Sequence, residues 1–257
     1  MELLLVLAVG LAAGTISGIV GFGSTIMLMP VLVFAYGPRH AVPIMAVAAI
    51  FANLSRIAVW WRDVDWRAFA AYSITGVPSA ALGARTLLVL PPHVIEGALG
   101  AFFLAMIPVR RWLDAHGLRL GLWHLALVGA VIGFLTGIVA TTGPITAPLF
   151  LAYGLVKGAF LSTEAAGSLA VYLSKAVVFR RFGALPAETI LQGLITGGSL
   201  MAGSLIAKRF VQRLEPARFR LLMDALMLIS GLTMLWGALG SGLTSLHFHA
   251  CMPYLCG

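Results

Sequence analysis

Arg56 and Lys175 stand inside long apolar stretches, each directly after a serine, and they are 119 positions apart. A cation at the centre of a membrane helix costs about 2.5–3.5 kcal/mol even on the lenient insertion scales. That cost must be offset by a counter-charge, a polar cavity or snorkelling of the long side chain toward the interface. Snorkelling is open to both, since Arg62 and Arg180 mark nearby helix ends. The chemical alternative is attraction of an anion, with the two cations at the two mouths of one pathway. Asn53 and Tyr172, one turn before each cation, would add polar contacts.

A second set of residues repeats at the same offset. Ser17–Ile26, reading SGIVGFGSTI, is echoed by Thr136–Ile145, reading TGIVATTGPI. Pro30 then answers to Pro148, and Tyr36-Gly37 to Tyr153-Gly154. Each copy interrupts a hydrophobic helix with glycine, hydroxyls and proline. In a bilayer, backbone leaves the helix only where protein or a water-filled cavity satisfies it. A matched pair of such breaks, one per half, is the sequence pointer to a transporter's substrate site. Gly21, Gly23, Ser24 and Thr25 open one half-helix; Thr141, Thr142, Gly143 and Thr146 surround the start of the other. A half-helix start carries free N–H groups and a positive dipole end. Glycine lets backbone approach an oxyanion, and hydroxyls donate to its oxygens. The bland alternative is that the small residues only allow helices to pack closely.

Few other polar groups lie within apolar stretches. Glu164 and Asp224 are proton-relay candidates by position, because an intramembrane carboxylate needs a function or a partner. Neither has an acid at the matching repeat position. Glu96 sits near a helix start, where acids serve as ordinary caps.

The elements that must position these residues follow from composition. Sixty per cent of the 257 residues are hydrophobic and 10% charged, and mean hydropathy is +1.00. Charged residues make up about a quarter of a soluble chain. The chain is therefore expected to be all-α, a polytopic helical membrane protein. The net charge of +8 is attributed to loop cations that set topology rather than to nucleic-acid binding. The start, Met1-Glu2-Leu3, lacks the basic region of a cleavable signal, so the first helix is expected to be retained.

Apolar stretches fall at 3–20 with 25–36, then 40–61, 68–90 and 93–109 in the first half. In the second they fall at 120–139 with 144–153, then 158–179, 186–207 and 219–239. The stretches at 25–36 and 144–153 are too short to cross about 30 Å of hydrocarbon alone. They are expected to be half-helices returning from a break. Two repeats follow, 1–112 and 119–239, with a linker at 113–118 and a tail at 240–257. If each broken segment crosses once, the 15 loop cations divide 7 against 8. If each enters and returns to the same side, they divide 11 against 4. Only the second reading recovers a cytoplasmic excess of Lys and Arg. It gives inverted repeats, each with a re-entrant first helix and three further transmembrane helices, and it puts both termini outside the cell membrane. Trp60, Trp61, Trp66, Trp112 and Trp123 flank the loops assigned to the cytoplasm, as interfacial tryptophans do.

The paired motifs Gly18-x-x-Gly21-Phe22-Gly23 and Gly137-x-x-x-x-x-Gly143-Pro144, together with the two-repeat plan to about Leu239, resemble the sulfite exporter TauE/SafE family. The resemblance implies a transporter of small, sulfur-containing anions such as sulfite, thiosulfate or organosulfonates, without naming one of them.

Signatures of enzymes are missing: there is no Walker loop, HExxH, G-x-S-x-G or dinucleotide fingerprint. No cofactor and no metal is expected. The tail residues His247, His249, Cys251 and Cys256 read as a soft-metal set, a disulfide or an ordinary terminus. The expected partners are a small anionic substrate and lipid, with possible proton coupling, and the sequence carries no signal for an oligomeric state. The competing classes are an anion channel, which shares the pocket without coupling, and a membrane scaffold, which binds nothing.

Overall fold

Turn and cap chemistry divides the apolar chain into helices. The computed structural model describes residues 2–20, 24–116, 119–139, 142–210, 221, 224–225, 227–229 and 231–238. Among them are α1 (Glu2–Val20), α2 (Ser24–Tyr36), α3 (Pro38–Trp60), α4 (Trp66–Val89), α5 (Pro92–Ala115), α6 (Leu122–Ile138), α7 (Gly143–Ala152), α8 (Lys157–Arg181) and α9 (Ala187–Phe210). Residues 231–238 are also helical, and no described residue is in a strand.

Each short half-helix ends on a glycine that only glycine tolerates easily. Gly37 follows α2 at φ 76° and Gly154 follows α7 at φ 107°. This region favours glycine because it has no Cβ to clash, and the two Tyr-Gly echoes are these stops. Proline then occupies the first turn of α3, where its missing N–H is no loss. Asp65 caps α4 by accepting from the backbone N–H groups of Arg67 and Ala68. α5 continues to Ala115, three residues into the stretch expected as linker, because polar residues outside the hydrocarbon remain compatible with a helix.

The break before α7 is a hairpin. α7 has ten residues, a length of about 15 Å, or half a bilayer. The N–H of Leu120, just before α6, donates to the carbonyl of Ala152, the last residue of α7, at 3.0 Å. The chain thus returns to the end at which it entered. α2 has thirteen residues and packs on α1 and α3.

Packing crosses between the halves. α1 lies mainly on α9, α6 mainly on α4, and α3 on both α8 and α9. Glycines line two of these seams. A Cβ on Gly137 of α6 would lie 2.6 Å from the Ala80 carbonyl oxygen and from Gly83 Cα on α4. On the other side Gly14 of α1 touches the Leu200 backbone, and Gly203 of α9 the Leu11 carbonyl. In α5, Gly100 meets Gly231 and Leu235. Helices 39–63 and 92–113 are long and apolar enough to span a bilayer by length and composition. α4, α8 and α9 have 24 or 25 residues but are diluted by glycine, serine and threonine, of which Gly76, Ser174 and Gly193 pack against neighbouring helices. The outer surface is greasy, as a lipid-facing surface must be, with Phe34, Val89 and Trp236 each more than three-quarters exposed. The five tryptophans expected at the interface are all exposed.

Candidate functional site

Lys175 is fully buried in α8. Its Nζ donates to the carbonyl oxygens of Thr136, at 2.5 Å, and Val139, at 2.9 Å. These carbonyls belong to the C-terminal end of α6, where the helix breaks and its acceptors have lost their intrahelical partners. A cation there also complements the negative end of the helix dipole. The rings of Tyr172 and Phe179 lie 5.5 and 5.9 Å from Nζ, within cation–π range. Among the described residues, no carboxylate lies within 4 Å of Lys175. Its ammonium has three donors, and two are used on carbonyls. Among the described residues, no acid is paired with this amine.

Across the break, the threonines form a directed chain. The Thr136 hydroxyl donates to the Ile132 carbonyl at 2.7 Å. That uses its one proton, so the 2.5 Å contact between Thr136 and Thr142 hydroxyls carries the proton of Thr142. Thr146 donates to the Thr142 carbonyl at 2.7 Å, and the N–H groups of Ile145 and Thr146 converge on the same oxygen. Pro144 has no N–H. The start of α7 is thus poorer in donors than the sequence suggested, because its hydroxyls are turned inward onto its own break. Thr142 and Thr146 are buried, as are Ser24 and Thr25 at the start of α2. Gly143 is the first residue of α7 and is buried as well. Gly21, Gly23 and Thr141 lie outside the described residues, as do the tail residues 240–257.

Arg56 has a different environment. Its Nη1 donates to Glu164 Oε2 at 2.7 Å, and its Nη2 donates to Asn53 Oδ1. Ser168 donates to the other Glu164 oxygen at 2.7 Å. The Arg56 and Glu164 side chains are 11% and 3% exposed, so Arg56 is a paired cation in the helix interior and does not snorkel. The serine before each cation crosses between halves: Ser55 contacts Ser204 of α9 at 3.3 Å, and Ser174 donates to the Val77 carbonyl of α4 at 2.9 Å. Asp224 pairs with Arg111 at 2.7 Å, and that arginine is 65% exposed.

The structure therefore gathers Lys175, Tyr172, Thr142 and Thr146 at the second break, gathers Arg56, Asn53 and Glu164 between α3 and α8, and holds Asp224 apart at an exposed ion pair. Thr136, Val139 and Ser168 were not singled out in the sequence. Thr136 had a signal, since it opens the echoed motif; the Val139 carbonyl had none, because a backbone acceptor leaves no trace in side-chain identity. No group of metal-ligating side chains occurs among the described residues.

Residues 6–234 match the family described as sulfite exporter TauE/SafE. The chain belongs to the sulfite exporter TauE/SafE family. It is a multi-pass helical membrane protein of a family of membrane transporters. It is 25% identical over 258 residues to the probable membrane transporter protein YjnA of Bacillus subtilis (strain 168), covering 90% of this chain and 98% of that protein. It is 29% identical over 191 residues to the probable membrane transporter protein y4hK of Sinorhizobium fredii (strain NBRC 101917 / NGR234), covering 68% of this chain and 73% of that one. No solved structure matches the chain.

Proposed function

We propose that this TauE/SafE protein is a secondary transporter of small anions, sulfur oxyanions or organosulfonates among them, and that the anion binds at the helix breaks with Lys175 as its cation. The observation that carries the reading is the state of Lys175: fully buried, held at a helix break, and without a carboxylate within 4 Å among the described residues. A buried charge is costly unless paired, and an incoming anion supplies the missing pair. The Thr136–Thr142 hydroxyl chain and the start of α7 lie at the same break and would supply directional contacts once Thr142 turns its proton outward. Tyr172 would wall the site. At the first break, Gly21, Gly23, Ser24 and Thr25 would provide the matching half-helix start, with the two repeats related by an axis in the membrane plane.

Glu164 is the coupling candidate in this reading. It neutralises Arg56 within the packed interior, so a proton arriving on Glu164 frees Arg56 to attract an anion. Asp224 is a weaker candidate, because its partner Arg111 faces outward. The hairpin at α6–α7 puts Arg119 and Lys157 on one side, which we assign to the cytoplasm, with both termini outside.

The test is a thermal-shift screen of the purified protein against sulfite, thiosulfate, methanesulfonate, sulfate and acetate. A ligand that binds only the folded state raises the unfolding midpoint, by an amount set by its concentration relative to Kd. A midpoint raised by one or more sulfur oxyanions supports the reading. A midpoint indifferent to every anion up to tens of millimolar contradicts it.

A further inference from the structure

Two contacts fix how α3 runs along α8. Gly158, near the start of α8, fits so tightly against Trp60, at the end of α3, that a Cβ there would lie 2.5 Å from the Trp60 ring. Four residues back along α3 and six residues on along α8, Arg56 meets Glu164 at 2.7 Å. As the number rises along α8 it falls along α3, so the helices are antiparallel. From Glu164, eleven residues along α8 lead to Lys175; from Arg56, eleven residues back along α3 lead to Met45. Eleven residues advance a helix by about 16 Å and bring the side chain back to within about 20° of the same face. The register that joins Arg56 to Glu164 thus carries Met45 to the level of Lys175. Both are fully buried.

The sequence echo gives the same answer independently. The offset of 119 that maps Arg56 onto Lys175 maps Met45 onto Glu164. By register and by repeat offset, Met45 stands to Lys175 as Glu164 stands to Arg56. Of these two positions, only Glu164 is an acid.

We propose that Met45 is the specificity-determining residue that leaves Lys175 without an internal counter-charge, and that the resulting site selects small oxyanions of single charge, such as alkanesulfonates, over dianions. This rests on the anion reading given above. Glu164 shows what the alternative looks like, since its carboxylate occupies Arg56 as a tethered anion. At Lys175 the thioether of Met45 leaves that place open. One positive charge is to be compensated there. A monoanion leaves a neutral buried pair, whereas a dianion leaves an uncompensated charge in a medium of low dielectric.

The experiment uses the full chain in detergent and two probes of like shape and different charge, sodium methanesulfonate and sodium sulfate, at matched ionic strength. Met45→Glu is compared with Met45→Gln, and each is also made together with Lys175→Met. The wild type is expected to bind methanesulfonate more tightly than sulfate. Met45→Glu is expected to fold, because Lys175 neutralises the new acid, and to lose methanesulfonate binding more than tenfold, while Met45→Gln keeps it. Lys175→Met should lower the unfolding midpoint of Met45→Glu more than that of Met45→Gln. Methanesulfonate binding unchanged in Met45→Glu overturns this inference alone, as does sulfate binding as tightly as methanesulfonate. So does a Met45→Glu protein that fails to fold where Met45→Gln succeeds, since an acid opposite Lys175 should be tolerated. A wild type that binds neither probe but binds another anion of the thermal-shift screen also overturns this inference alone, and one that binds no anion of that screen overturns the anion reading with it.

Discussion

Arg56 of α3 and Glu164 of α8 form an ion pair with 2.7 Å between Nη1 and Oε2, across the boundary between the two sequence repeats. Removing one partner of a buried pair leaves an uncompensated charge and costs about 3–5 kcal/mol, whereas replacing both with apolar residues of similar volume costs far less. Glu164→Met is therefore expected to lower the thermal unfolding midpoint strongly, and Arg56→Met with Glu164→Met to recover most of the loss. Equal stability of the wild type and Glu164→Met would show that the pair is not formed in the membrane protein.

Coupling should be separable from stability. Under the proposed role of Glu164, the isosteric Glu164→Gln is expected to abolish the dependence of anion flux on a pH gradient in proteoliposomes while leaving downhill flux measurable. Flux that responds to the gradient as in the wild type removes Glu164 from the coupling path.

The hairpin closed by Leu120 and Ala152 makes a topological prediction. Arg119→Cys and Lys157→Cys should react with an impermeant thiol reagent from the same side, and Arg181→Cys, at the far end of α8, from the opposite side. These assays need a background lacking Cys251 and Cys256. Arg119 and Lys157 labelled from opposite faces would mean that α6 and α7 together cross the membrane.

The glycine seams should resist enlargement selectively. At Gly137 a Cβ would press on the Ala80 carbonyl and on Gly83, so Gly137→Ala must push α4 and α6 apart, at an overpacking cost of about 1–3 kcal/mol. Gly198, within α9, has nothing within 4 Å of a Cβ. Gly198→Ala is expected to be neutral or stabilising by up to about 1 kcal/mol, from helix propensity. Thermal unfolding of the two variants side by side checks the contrast.

Much of this fold is legible in the sequence because its signals are local. The half-helices end at Gly37 and Gly154, which had to be glycine for their positive φ. The spans follow from apolar stretches bounded by charges, with ends misjudged by a few residues where polar helix continues beyond the bilayer, as α5 does to Ala115. The repeat offset made Arg56 and Lys175 a pair. What they touch was not legible, because it depends on packing between distant segments: Glu164 is 108 residues from Arg56, and Lys175 is satisfied by carbonyls of α6. The echo even misled on one point, since it suggested two equivalent cations. The difference between them lies in their partners: Glu164, outside either motif, pairs with Arg56, whereas Lys175 meets the carbonyls of Thr136 and Val139. The inward turn of the Thr142 hydroxyl was hidden for the same reason, as it depends on Thr136 having spent its proton on Ile132.

In the proposed site Lys175 supplies the charge that binds the anion. Isothermal titration of the anion that most raises the unfolding midpoint, into wild type and Lys175→Gln, tests it most directly. Truncating one member of a buried charge pair costs about 2–5 kcal/mol of binding, so the account predicts Kd raised about thirtyfold or more in a variant that remains folded by size-exclusion chromatography. A folded Lys175→Gln protein that binds the same anion with unchanged Kd would contradict the account.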